Sequence, residues 1–289
     1  MKKSLLWVLK LLVTVIPGWI VFRDIQAMPG LESVRFAGLM AHMGWQWLLI
    51  AALALAASSF LGAAQWGLLL VTQGVKMSYI EVLRIYFMGL FFNNFMPGNV
   101  GGDLKRIADI RMESGHKLGA GAAATIFDRL FGLFFLNALA IIVGFLFFVK
   151  DPGKAPYLLP SLAVFCGFCA LFAAMFSRRI GRLFERALRP WAPKLVVENF
   201  VSLRDRFHLF RNQKLWLQVT VLSAVTQIFR VSVHWLCGLA IGVDIAVSWY
   251  FYFIPIVAVI TALPISIGGF GVREASAVYL FKQVGVTSM

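Results

Sequence analysis

Three arginines carry the first chemical suggestion in this chain. Arg106 and Arg273 each follow a Pro/Gly-rich stretch, and Arg230 stands inside an otherwise apolar run. A guanidinium keeps its charge in a low-dielectric setting and offers a planar fork of N–H donors that matches a phosphate. Two of the three have acidic neighbours, Asp103 near Arg106 and Glu274 beside Arg273. Those carboxylates could pair with the arginines, gate them, bind a coupling cation or proton, or simply cap a helix. Gln227, Arg230 and His234 are three and four residues apart, on one helix face. An arginine at the centre of a membrane span costs about 2.5–3.5 kcal/mol on insertion scales, so Arg230 should face protein or water. It could serve an anion there, or form a structural pair with Asp128 or Glu274. Asn93 and Asn94 precede the first Pro/Gly stretch and could satisfy opened backbone groups or touch a ligand. The candidate binding set is therefore Arg106, Arg230, Arg273, Asn94, Asp103, Glu274 and His234. Asp128 and Arg129 are a cavity wall or a structural ion pair.

The elements that position these groups are unusual. An apolar, aromatic run from Tyr79 is stopped by PGNVGGDLKR (Pro97 to Arg106), and another from Trp249 is stopped by PISIGGFGVR (Pro264 to Arg273). Aligned without gaps, the two stops share P-x-x-[VI]-G-G-x-x-x-R. Pro97 matches Pro264, Gly101 and Gly102 match Gly268 and Gly269, and Arg106 matches Arg273. Five matched positions, each after an aromatic apolar run, indicate an internal repeat over about 79–106 and 249–273. Proline removes an amide donor and clashes with the preceding turn, while glycine permits angles closed to other residues. The helix should open at both places. Open backbone in hydrocarbon survives only when it is packed in protein or lines a wet cavity.

The rest of the chain must then be a membrane bundle. Of its 289 residues 60% are hydrophobic and 15% aromatic, with a mean hydropathy of +0.82, which leaves no room for a separate soluble catalytic domain. Spans are predicted at Leu5–Phe22, Trp45–Leu70, Phe127–Val149, Tyr157–Phe176 and Leu215–Ile241. The net charge of +14 reads as positive-inside bias and not as a nucleic-acid signal, because ten of the 27 Lys and Arg lie between Ser177 and Leu215. That basic segment, 177–214, is expected in the cytoplasm, either as an amphipathic element on anionic headgroups or as a solvated connector. The interval carrying Lys105, Arg106, Arg111 and Lys117 falls on the same side, which puts the N-terminus inside. Three spans separate the two broken elements, so they should enter from opposite faces as an inverted repeat. The fold class is all-α: one polytopic membrane domain, 1–289, with two re-entrant helical elements. Cys166, Cys169 and Cys237 lie in apolar runs without polar neighbours and read as small hydrophobes.

At the residue level, NNFMPGNVGGDLKR and ALPISIGGFGVREA resemble the two signature segments of the flippase-like family, the lysylphosphatidylglycerol synthase membrane region. The similarity extends across most of the chain. In the best-known relatives this region moves an aminoacylated phospholipid between leaflets, and a separate soluble domain makes that lipid. No such domain is present in these 289 residues, so the resemblance implies lipid handling without synthesis, in a bacterial inner membrane. Relatives usually continue through a further apolar helix where this chain stops at Met289, so either this member is short or its end is missing, and the second half-site is expected to be incomplete or completed by another subunit.

The leading expectation is a flippase or transporter for an anionic, phosphate-bearing lipid: a phospholipid, an aminoacylated phospholipid or a polyprenyl-linked lipid. No P-loop marks an ATP-driven step, no metal or cofactor set is expected, and HxxxxD, DDxxD, HExxH and GxSxG patterns are absent. The alternatives are a membrane-embedded enzyme acting on a lipid phosphate, with Asp103 and Asp109 its best carboxylate pair, or a non-catalytic partner subunit of an envelope-lipid enzyme. Membrane lipids are the expected partners, with a homo-oligomer as a further possibility and nucleic acid excluded.

Overall fold

A computed structural model describes residues 43–95, 101–114, 118–151, 153, 156–190, 193–262 and 269–286. The described residues form helices only: α1 (Trp45–Thr72), α2 (Tyr79–Phe95), α3 (Gly101–Ser114), α4 (Leu118–Lys150), α5 (Leu158–Phe176), α6 (Arg178–Leu188), α7 (Lys194–Phe207), α8 (Gln213–Ala240), α9 (Val247–Ala262) and α10 (Val272–Lys282). A short 3-10 turn, His208–Phe210, joins α7 to α8. α1, α4, α5 and α8 are long and apolar enough to cross a membrane. The chain is therefore a multi-pass membrane protein, all-helical among the described residues. The span expected at Leu5–Phe22 lies outside the described residues.

Over residues 51–63, α1 turns small or polar residues inward and large apolar ones outward, whereas its last turns bury Trp66, Leu69 and Leu70. α1 buries Ala51, Ala54, Ser58, Gly62 and Ala63 and exposes Leu49, Leu53 and Phe60. Lipid tails solvate a leucine as well as a protein core does, so close backbone approach, not hydrophobic burial, drives such packing. The partner of α1 is α8, running antiparallel. Gly44 N–H donates to Ala240 O (2.9 Å) at one end, and Ser223 Oγ donates to Gln65 Oε1 (2.8 Å) further along.

Two stretches of the chain follow one pattern. α1 and α8 both contain 28 residues, and α8 follows at a constant offset of 168 (Trp45 to Gln213, Thr72 to Ala240). Each ends in the same Gly-Val stop. Gly74 (φ 83°) and Gly242 (φ 80°) take the left-handed conformation. Val75 N–H then reaches Leu70 O (3.1 Å), and Val243 N–H reaches Gly238 O (2.9 Å), six-to-one bonds that close the last helical turn. After each stop comes a helical hairpin. In the first, Gly102 N–H donates to Asn93 Oδ1 (2.8 Å), and a Cβ on Gly102 would lie 1.9 Å from Gly89 O, so α2 and α3 nearly touch. In the second, the Phe281 ring packs 5.1 Å from Tyr250 and 5.4 Å from Phe253.

Some predicted boundaries shift. α4 begins at Leu118, nine residues before the expected Phe127, because the Ala-rich stretch Gly119–Thr125 continues the helix without a break. Gly101 and Gly102 stand in the first turn of α3 and not in open backbone; their smallness serves the approach to α2. Gly269 (φ 78°) does take the left-handed conformation expected of a break. Pro97, Pro264 and Gly268 lie outside the described residues.

The basic segment is tied to the bundle. Phe207 and Phe210 are fully buried, with ring centroids 5.4 and 4.6 Å from Phe127, and Gln73 Nε2 donates to Arg206 O (3.1 Å). This aromatic cluster continues through Phe131, Phe172, Phe176 and Trp216 and forms the main core. α6 is different: Ile180 and Leu183 are exposed among its arginines.

Candidate functional site

Arg106 sits five residues into α3, and its side chain crosses Gly89 of α2, where a Cβ would be 2.5 Å from the guanidinium Nε. It is only 4% exposed. Its Cζ lies 3.9 Å above the Tyr86 ring and 5.5 Å from the Trp66 ring. Such cation–π contact gains strength when water is excluded. One Arg106 nitrogen stands 4.0 Å from Asp128 Oδ2, and its Nε has no hydrogen-bond partner among the described residues.

Tyr86 connects the two halves of the chain. Its ring carries Arg106, and its hydroxyl accepts a hydrogen bond from Arg230 of α8 at 3.1 Å. Gly62 of α1 provides the space, since a Cβ there would be 2.4 Å from that hydroxyl. Among the described residues no carboxylate stands within ion-pair distance of Arg230, so it forms no direct ion pair with Asp128 or Glu274. Asp128, on α4, is oriented by a relay: Ser223 donates to Gln65 Oε1 (2.8 Å), and Gln65 Nε2 donates to Asp128 Oδ1 (2.7 Å).

These groups line one cavity of about 440 Å³ among α1, α2, α3, α4, α8 and α9, a size suited to a small headgroup. Asp103 and Arg129 form an ion pair in its wall. Asn93 and His234 also line it, and His234 Nδ1 lies 2.9 Å from Arg230 O, one turn back. Of the expected set, the structure thus brings together Arg106, Arg230, Asp103 and His234. It does not bring Arg273, whose side chain is 53% exposed, pairs with Glu274 (2.9 Å) and leans on Phe270. Glu274 caps α10 by accepting from Gly271 N–H (2.7 Å), the helix-capping alternative. Asn94 stands in the last turn of α2, next to Asn93, whose side chain accepts from Gly102 N–H of the hairpin.

Sequence reasoning missed Tyr86, Gln65 and Trp66 and gave Asp128 only a wall or pairing role. Gln65 carried a signal, as an amide in an apolar span. Tyr86, in an aromatic run, carried none.

The profile of the family described as the lysylphosphatidylglycerol synthase TM region matches residues 7–289. A "UPF0104 membrane protein" of Methanothermobacter thermautotrophicus is 23% identical over 243 residues, covering 77% of this chain and 69% of that protein. No solved structure gives a significant match.

Proposed function

The chain belongs to the lysylphosphatidylglycerol synthase TM family, and from that premise we propose that it moves a phosphate-bearing lipid between leaflets. The observation that carries this reading is the convergence of Arg106 and Arg230 on Tyr86, from opposite halves of the chain, inside a polar cavity among membrane helices. A headgroup phosphate held between the two guanidiniums would take the place of Asp128 as their counter-charge, while Tyr86 keeps both cations in position. Water exclusion strengthens such charge-assisted bonds.

Alternating access would follow from an inverted repeat. Equal helices α1 and α8, antiparallel, each with a Gly-Val stop and a hairpin behind it, support that relation. A two-fold axis in the membrane plane would pass through the α1–α8 contact, and the arginines lie on either side of the cavity beside it. Rocking of one repeat against the other would then open the cavity to each leaflet in turn. The site would sit in the inner membrane with the N-terminus and the basic segment cytoplasmic. There the exposed Ile180 and Leu183 of α6, flanked by Arg179, Arg182 and Arg186, would rest on anionic headgroups.

The test is leaflet exchange of fluorescent phospholipids in liposomes holding the purified chain. Headgroup-selective exchange in the wild type, lost in Arg106→Gln and Arg230→Gln proteins that keep their helical content, is expected. No exchange of any cargo by a folded wild type would sink the proposal.

A further inference from the structure

We infer that the chain holds a second, separate site for an uncharged long-chain alcohol, in an apolar pocket of about 480 Å³ among α4, α5, α9 and α10. Its size is that of a small-molecule site. The pocket and the polar cavity share α9 as a wall: Ala258 and Thr261 line the cavity, and Ile256, Val259 and Ile260 line the pocket. Among the described residues no Asp, Glu, Lys or Arg lines the pocket, so a phosphate or an ammonium group would enter it without a counter-charge. The two sites are chemically unlike, and neither depends on the other.

Two polar side chains in this pocket have nothing to bind. Asn137 of α4 is 2% exposed and Ser161 of α5 is 4% exposed, both line the pocket, and neither Asn137 Oδ1 nor Ser161 Oγ has a hydrogen-bond partner among the described residues. Nearby polar groups are engaged: Ser276 Oγ donates to Val272 O (2.6 Å), and the Tyr157 hydroxyl accepts from Gln283 Nε2 (2.7 Å). An amide oxygen and a hydroxyl left unpaired between membrane helices are costly, because no bulk water satisfies them there. A hydroxyl is donor and acceptor at once, so it suits both groups. One or two waters would satisfy the pair but leave the rest of the pocket, walled by Val164, Ile256 and Leu280, empty. An apolar tail fills it. Pro160 and Tyr279 line the pocket and stand exposed on the outside of the bundle, where a molecule dissolved in the bilayer arrives.

The experiment is photolabelling of the full chain in phosphatidylcholine nanodiscs with a diazirine-bearing hexadecanol, its methyl ether and its phosphate monoester, read by peptide mass spectrometry. The alcohol should label α5, α9 or α10 at concentrations about tenfold below those the ether needs, because the ether fills the same space but cannot donate a hydrogen bond. The phosphate ester should label the pocket roughly tenfold less well again, for want of a counter-charge. Asn137→Leu should bring alcohol and ether close to equality. Equal labelling by those two in the wild type, which needs no variant, would overturn the inference, as would a phosphate ester that labels as well as the alcohol. Farnesol and dioctanoylglycerol serve as competitors: displacement by one supports the site and assigns its alcohol as isoprenoid or acylglycerol, and displacement by neither overturns it. Arg106→Gln and Arg230→Gln should leave alcohol labelling unchanged. A loss there would put the alcohol in the polar cavity and overturn the separate site, whereas the phosphate reading stands or falls on leaflet exchange.

Discussion

Arg230 of α8 donates a hydrogen bond to the Tyr86 hydroxyl of α2 across 3.1 Å, joining residues 144 positions apart. The Tyr86 ring holds Arg106 at the same time, so one side chain sets the positions of both cations. Replacing Tyr86 by Phe should keep Arg106 in place and release Arg230. Loss of a hydrogen bond to a charged group costs about 1.5–3 kcal/mol, so headgroup affinity should fall roughly tenfold or more with the fold intact. Tyr86→Ala should do worse by removing the cation–π contact as well. Binding isotherms and circular dichroism on the two variants check the order; equal loss in both would mean that the hydroxyl contributes nothing.

Gly102 is where α2 and α3 come closest, with Gly89 O at 1.9 Å from the position of a Cβ. Backbone, unlike a flexible side-chain tip, has little room to give. Gly102→Ala should destabilise the hairpin by about 1–3 kcal/mol or more, the usual range for overpacking. A lowered thermal midpoint in detergent is expected, and an unchanged midpoint would show that the hairpin opens freely.

Asp103 and Arg129 pair across α3 and α4 at the cavity wall, partly exposed. Either single neutralisation, Asp103→Asn or Arg129→Gln, breaks this ion pair and should cost about 1–3 kcal/mol in stability. The swapped pair, Asp103→Arg with Arg129→Asp, should recover part of that loss. A double-mutant cycle with additive effects would remove the pair from the account of the wall.

Glu185 lies outside the spans, on α6. Its hydrogen bond from Arg189 (2.8 Å), with Arg204 and Arg186 nearby, holds its carboxyl below the usual carboxylate range. A depressed folded-state value means stability that is fully present above the ordinary glutamate range and is lost as pH falls through the lowered value. Hydrogen-exchange protection in α6 and α7, taken relative to the intrinsic rate at each pH, should therefore fall on acidification below about pH 4, where an unperturbed glutamate is already more than half protonated. In Glu185→Gln the acid-induced change should shrink; an identical profile would exclude Glu185 as its source.

Much of the architecture was legible along the chain. Apolar length identified α1, α4, α5 and α8, and the paired Pro/Gly stops marked the two hairpins. These are local signals, set by hydropathy and by the few angles proline and glycine favour. Arg230 was legible too, because a charge within a span must avoid lipid. Arg273 matches Arg106 in the motif, but α10 resumes only one residue before it, and its half-exposed side chain pairs with Glu274.

By itself, the sequence determined that this is a helical membrane protein whose apolar runs from Tyr79 and from Trp249 stop at Pro/Gly-rich stretches, with a costly arginine in one span. Those conclusions need only transfer energies and backbone sterics, which act residue by residue. Which polar groups share a cavity was decided by tertiary structure. Tyr86 became central because Gly62 leaves space for its hydroxyl and Gly89 lets Arg106 reach its ring, and Asp128 became the counter-charge because Gln65 and Ser223 orient it from other helices. Distances of 3 to 4 Å between residues far apart in sequence depend on how whole helices pack, and no local pattern encodes them.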